Sequence, residues 1–211
     1  MIGLPLLTHK ESEVWGDYEA FNSGSVEKEV GELLYSFARI LKPHHILDLG
    51  THKGISAAYL GLACRDNNVG LVDTVEYDKS HWDEAKRLWD KISLEDYIFQ
   101  YKCSVDEFIN DEVMYDLILI DTEPAQRWQE LDRFYAQLNP GGYVFIHDLP
   151  RQFCVGNINS DHPEIKNWPF GEIPDRIQQL MKDRLLVPFH LPNPRSMCGF
   201  YKARSDDYEI C

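Results

Sequence analysis

Residues 25–41, "SVEKEVGELLYSFARIL", place Val26, Val30, Leu33, Leu34, Phe37, Ile40 and Leu41 three or four positions apart. That spacing predicts a helix with one apolar face, and Pro43 ends it. The next apolar runs are shorter. "HHILDLG" (44–50) reads as a buried strand and "ISAAYLGLAC" (55–64) as the helix after it. "VGLVDTVE" (69–76) is a second strand. "SHWDEAKRLWDKI" (80–92) is a helix whose Trp82, Ala85, Leu88 and Trp89 share a face. "YIFQYKC" (97–103) and "YDLILID" (115–121) are strands three and four, the fourth apolar enough to be covered on both sides. "AQRWQELDRFYAQL" (125–138) is a helix closed by "NPGG", and "YVFIHD" (143–148) is a fifth strand.

Strand and helix alternate five times, which predicts an α/β fold with a mainly parallel sheet. The tail is different. Residues 149–172 are rich in Pro, Gly, Asn and Asp and read as a long loop, with Trp168 and Phe170 as loop-packing or substrate-covering aromatics. "IPDRIQQLMKDRL" (173–185) follows as a helix with Pro174 in its first turn. "LLVPFHLPNPRSMCGFYKA" (185–203) reads as two strands joined by "PNPRS". With 211 residues, 44% of them hydrophobic, one sizeable core is expected. The expected organisation is a single domain over 1–211. Its parts are a helical segment at 1–43, a core at 44–148 and a loop, helix and strand pair at 149–211.

A formal net charge of −14 argues against nucleic acid, whose binding uses lysine and arginine to displace counterions. It argues equally against an anionic membrane surface. Cys64, Cys103, Cys154, Cys198 and Cys211 are odd in number and scattered, without a CxxC pair. They are expected to be free thiols of a reducing compartment. "MIGLPLLTHKESE" has neither a basic leader nor a long apolar stretch, and no run reaches the length of a membrane span. The expected location is cytoplasmic, and a homo-oligomer is compatible with all of this.

The stretch "ILDLGTHKGIS" (46–56) carries the first chemistry. Ligands of an open parallel sheet sit beyond the carboxyl ends of its strands. Glycines at 50 and 54 let the backbone approach such a ligand, or simply make a tight turn. The spacing is neither G-x-G-x-x-G nor a phosphate-binding loop, which weakens the dinucleotide and nucleoside-triphosphate readings. In its order of motifs, from about residue 25 to 148, the chain resembles the class I S-adenosylmethionine-dependent methyltransferases. "ILDLGTHKGIS" is similar to their first motif, which implies cofactor contacts from Asp48, Gly50, Thr51, Gly54 and Ser56. "VDTVEYD" is similar to the second and implies that Glu76 accepts hydrogen bonds from the ribose hydroxyls. "YKCSVDEF" looks like the adenine-side segment, with Cys103 and Ser104 at the turn, where Ser104 could also cap a helix. "YDLILID" and "LNPGGYVFIHD" look like the fourth motif and the fifth strand, with Asp121 also on the cofactor side. The resemblance implies a Rossmann-like, doubly wound sheet of seven strands, mostly parallel, with an antiparallel last strand beside the fifth. Trp82 and Trp89 read as packing residues.

Asp121 and Asp148 end strands four and five, about 4.8 Å apart if those strands are neighbours. Carboxylates that close repel unless one is protonated or a cation lies between them. The arrangement resembles the metal-dependent small-molecule O-methyltransferases, catechol-type and antibiotic-tailoring, and by position implies Asp121, His147 and Asp148 as ligands of magnesium or manganese. Two departures stand out. Imidazole suits transition metals better than magnesium, so His147 reads equally as a base or as a satisfied strand-end histidine. Pro124 also stands where relatives carry a catalytic lysine or histidine, which leaves Glu123, His147 or the metal to take the acceptor proton. The expected function is methyl transfer from S-adenosylmethionine to a small molecule, foremost a hydroxyl oxygen, with His147 and Asp148 as catalytic groups. The alternatives are an N-methyltransferase acting on a small amine and a non-catalytic cofactor-binding subunit.

Overall fold

A computed structural model describes residues 25–149, 169–191 and 197–208. The strands are β1 (His45–Leu49), β2 (Leu71–Val75), β3 (Ile98–Tyr101), β4 (Tyr115–Ile120), β5 (Leu138–His147), β6 (Leu186–Leu191) and β7 (Met197–Lys202). The helices are α1 (Lys28–Leu41), α2 (Ile55–Asn67), α3 (Lys79–Lys91), α4 (Arg127–Phe134) and α5 (Asp175–Lys182). The seven strands run in the order β3-β2-β1-β4-β5-β7-β6, the doubly wound α/β fold expected. The chain divides into two compact units, the first ending at Phe108 and the second beginning at Ile109.

In the first unit β1, β2 and β3 are parallel, with Asp48 opposite Thr74 and Leu49 opposite Val75. Residues from Ile55 to Cys64 of α2 are all buried, because a helix apolar all round must be covered all round. Gly31 of α1 lies against the ring of Tyr59, and a methyl group there would collide with it. Val30, Leu34 and Ala38 form the buried stripe of α1. Ile40 was expected on that stripe but is 80% exposed, since it projects from the side opposite Ala38. Ser104 caps a single turn rather than a helix. Its hydroxyl accepts from the Glu107 amide, and the Glu107 carboxylate accepts from both the Ser104 amide and hydroxyl.

In the second unit β4 and β5 are parallel, with a register shift between Tyr115 and Leu117. β5 begins at Leu138, so "NPGG" lies within the strand instead of closing a helix. The preceding helix is correspondingly shorter, α4 plus a 3₁₀ turn at Tyr135–Gln137. β7 pairs antiparallel with β5, from Tyr143 opposite Tyr201 to His147 opposite Met197, and β6 pairs antiparallel with β7. This is the expected place of the last strand. Pro174 stands at the N-cap of α5, one position before its first turn.

Cys64 and Cys103 are free thiols, but Cys198 is disulfide-bonded. That corrects the expectation for Cys198, because spacing along a chain does not say which cysteines meet in the fold. Cys154, Cys211, Trp168, most of the expected loop and the "PNPRS" turn lie outside the described residues. Among the described residues no helix is long and apolar enough to cross a membrane.

Candidate functional site

The turn after β1 is built from glycine geometry. Gly50 and Gly54 have φ values of 96° and 82°, in the region L side chains resist. The amides of Gly50 and Thr51 both donate to the Val75 carbonyl at 3.1 Å, which ties the turn to the end of β2. A methyl at Gly54 would sit 2.8 Å from Ala85 Cβ and from Trp89 Nε1. Trp89 itself donates through Nε1 to the Gly54 carbonyl at 2.9 Å. This tryptophan therefore supports the turn as well as packing α3.

Asp48, inside β1, accepts from Ser56 Oγ at 3.1 Å and from Thr74 Oγ1 at 2.8 Å, and Thr74 also shares a 2.6 Å bond with Thr51 Oγ1. All four residues are buried. Asp48, Thr51 and Ser56 are thus brought together by Thr74, a residue the sequence reading passed over, and they brace the turn from beneath. Glu76 follows β2. One of its oxygens accepts from the His52 amide and the other from the Asp78 amide, each at 2.7 Å. Its own carbonyl accepts from Trp82 Nε1 at 2.9 Å, so Trp82 also positions this strand end. The His52 and His81 rings meet edge to face at 4.2 Å, with His81 Nδ1 3.9 Å from Glu76. Cys103 and Ser104 lie past β3, where the Lys102 ammonium stands 5.1 Å from the Trp82 ring centroid. Burial pushes the Cys103 thiol up, and the nearby Glu107 adds to this.

These residues fit S-adenosylmethionine. A carboxylate has about four lone-pair sites, and each Glu76 oxygen spends one on a backbone amide. Capacity remains on both oxygens for a vicinal diol.

The second unit gathers a different set. Asp121 follows β4, His147 ends β5, and Asp148 comes next with φ 51°. His147 Nδ1 is 3.2 Å from Asp121 Oδ1 and 3.6 Å from Asp148 Oδ2. Arg127, the first residue of α4, enters the same group. Its Nη2 is 3.3 Å from Asp121 Oδ1 and 4.0 Å from Asp148 Oδ2. Nε and Nη2 donate to the Thr122 carbonyl at 2.9 and 2.6 Å, and Nη1 donates to the His147 carbonyl. Thr122 Oγ1 donates to Glu130 at 2.5 Å. Arg127, Glu130, His147 and Asp148 are all buried.

The set expected to hold a metal therefore converges on a guanidinium. Among the described residues, the group of His, Cys, Asp or Glu side chains close enough to share an ion includes His147 and Asp148 but not Asp121, so the expected trio does not close. A dication about 4 Å from the guanidinium would be repelled by about 8 kcal/mol at an effective dielectric near 20. The trio of Asp121, His147 and Asp148 does not fit a divalent ion.

The sequence reading also passed over Arg127. The signal was present, because Arg127 stands four before Leu131 and seven before Phe134, two residues of the buried face of α4. A charge on an apolar stripe calls for a buried partner.

Residues 47–149 match a methyltransferase domain family. A protein of Mycobacteroides abscessus named "Putative O-methyltransferase" is 29% identical over 147 residues, 68% of this chain and 67% of that one. The structure is similar to that of the S-adenosylhomocysteine-bound methyltransferase PaMTH1 of Podospora anserina, with a TM-score of 0.70 and 18% identity over 92% and 87% of the two chains. It is similar also to an O-methyltransferase of Bacillus cereus in complex with S-adenosylhomocysteine, with a TM-score of 0.69 and 16% identity over 93% of each chain.

Proposed function

We propose that this chain is a class I S-adenosylmethionine-dependent methyltransferase of the O-methyltransferase group and that it divides its work between its two sets of strand ends. The first set binds the cofactor, which supplies an electrophilic sulfonium methyl. The Gly50–Gly54 turn lies under its methionine part, and Asp48, Thr51 and Ser56 keep that turn in shape. Glu76 takes the ribose hydroxyls, and Cys103 and Ser104 border the adenine. Asp121, just past β4, is assigned a cofactor contact by the resemblance alone.

The second set handles the acceptor, a small molecule whose hydroxyl oxygen receives the methyl. His147 takes the acceptor proton, and Asp121, 3.2 Å from Nδ1, orients the ring and stabilises the imidazolium. Asp148 adds a second carboxylate to the same ring at 3.6 Å. The burial of His147 and Asp148 keeps that proton transfer away from bulk water. An amine acceptor would use the same pair to lose its proton.

The observation that carries the reading is Glu76, held by two backbone amides beside a turn of two left-handed glycines. The net charge of −14 supports a partner that is neither nucleic acid nor membrane. The free thiols Cys64 and Cys103 support a cytoplasmic location, and the Cys198 disulfide counts against it. The test is calorimetry with S-adenosylhomocysteine, then mass-detected methylation of a panel of phenols, alcohols and amines. Saturable binding with methylation confined to hydroxyls is the expected result. Methylation of amines alone overturns the choice of oxygen, and no binding overturns the reading.

A further inference from the structure

We infer that Arg127 is a built-in cation in the place where a divalent metal would otherwise serve, and that this chain's methyl transfer is metal-independent. The inference rests on the methyltransferase reading but goes beyond it, because it concerns what neutralises the acceptor-side carboxylates.

The side chain of Arg127 is 3% exposed, and its donors are committed in four directions. Two go to the Thr122 carbonyl just past β4, and one goes to the His147 carbonyl at the end of β5. The guanidinium then lies beside Asp121 at 3.3 Å and 4.0 Å from Asp148. A metal in this place would neutralise two acids and hold two strand ends in register. The guanidinium does both, with a permanent charge and a planar fork matched to carboxylates and carbonyls. Asp121 Oδ1 and Asp148 Oδ2, on which a metal held by the expected trio would draw, already face this cation.

Arg127 is thus a positioning residue. It holds His147 by its backbone carbonyl and sets a permanent positive charge 3.3 Å from Asp121. It leaves acceptor deprotonation to His147 instead of to a coordinated hydroxyl.

The experiment uses the full chain, stripped with chelator and titrated with Mn²⁺, with free Mn²⁺ read by electron paramagnetic resonance. S-adenosylhomocysteine binding is measured on the same stripped sample. The wild-type protein is expected to bind S-adenosylhomocysteine undiminished and to hold no stoichiometric Mn²⁺ at a Kd below about 1 mM. Arg127→Gln, which removes the charge but keeps a donor, is expected to gain at least about tenfold in Mn²⁺ affinity, and Arg127→Lys to gain none. Tight wild-type Mn²⁺ binding that is lost in Asp121→Asn overturns the inference, as does a folded Arg127→Gln protein with unchanged affinity. If Arg127→Gln does not fold, the wild-type and lysine titrations still decide. Failure to bind S-adenosylhomocysteine counts against the methyltransferase reading and leaves the Mn²⁺ result to be judged by itself.

Discussion

Glu76 and Asp121 each stand one residue past a parallel strand, yet their neighbours differ in charge. Glu76 accepts from two backbone amides, and Asp48 beneath it accepts from two hydroxyls. These donors are mostly neutral, so they fix the carboxylates in place without cancelling their charge. Asp121 and Asp148 face a guanidinium and an imidazole, so their charge is largely compensated inside the protein. A carboxylate held by dipoles remains a strong acceptor for an incoming hydroxyl. One held by a cation is better suited to orienting a neighbouring base. The same residue type at the same kind of strand end thus becomes a ligand anchor in one place and internal scaffolding in the other.

The comparison breaks most readily at Arg127. Arg127→Met removes the guanidinium beside the part-buried Asp121 and the buried Asp148, and removing one partner of a buried pair costs about 3–5 kcal/mol. Urea unfolding should show that loss, and a stability change under about 1 kcal/mol would mean that the acids are not held by charge. On the other side, Glu76→Ala should weaken S-adenosylhomocysteine binding about 10- to 100-fold, the worth of hydrogen bonds to a charged acceptor. Unchanged affinity in a folded variant would remove Glu76 from the site.

Trp89→Phe tests the support of the glycine turn. It removes the 2.9 Å bond to the Gly54 carbonyl and should cost about 1 kcal/mol, seen as a lower melting temperature and weaker cofactor binding together. A loss of stability alone would make Trp89 a packing residue only.

The smallest effect sharpens the comparison. The Asp78 side chain caps α3 while its amide serves Glu76, so Asp78→Asn should leave cofactor affinity within about twofold. Hydrogen bonds from the Ser80 hydroxyl and amide hold the Asp78 carboxyl below its usual range. A lowered folded value stabilises above the ordinary aspartate range and is lost as pH falls through it. The variant's deficit in melting temperature should therefore be present at neutral pH and close below about pH 4.

The strands were legible because each is a short apolar run cut off by a charge or a glycine, as "ILDLG", "VDTVE" and "LILID" are. The same punctuation exposed Gly50, Gly54, Glu76 and Asp121, which sit where runs end. Features that depend on what packs against an element were hidden. Ile40 looks apolar in a helical period but falls outside the covered stripe. "NPGG" looks like a stop, yet it is an irregularity inside β5, where pairing with β4 passes from Leu138 directly to Tyr143 and Gly141 takes φ 86°. The place of β7 beside β5 came from the five alternations and the closing hairpin taken together with the resemblance, since nothing local to "MCGFYK" names its neighbour. Arg127 and Thr74 were missed because their value lies in partners far along the chain, 20 positions away at His147 and 26 at Asp48.

The pairing of β5 with β7 also bears on how the chain is made. His147 leaves the ribosome fifty positions before Met197, the residue opposite it in the finished sheet. At about 5–20 residues per second, the edge of β5 waits roughly 3–10 s for its neighbour. During that interval Val144, Phe145 and Ile146, buried in the finished fold, lie along an open strand edge, the kind that recruits other chains. Arg127, Asp121 and the carbonyl of His147 are by then already synthesised. The charged cluster at the end of β5 can therefore form before the sheet is complete, placing ions beside the edge while it is still exposed.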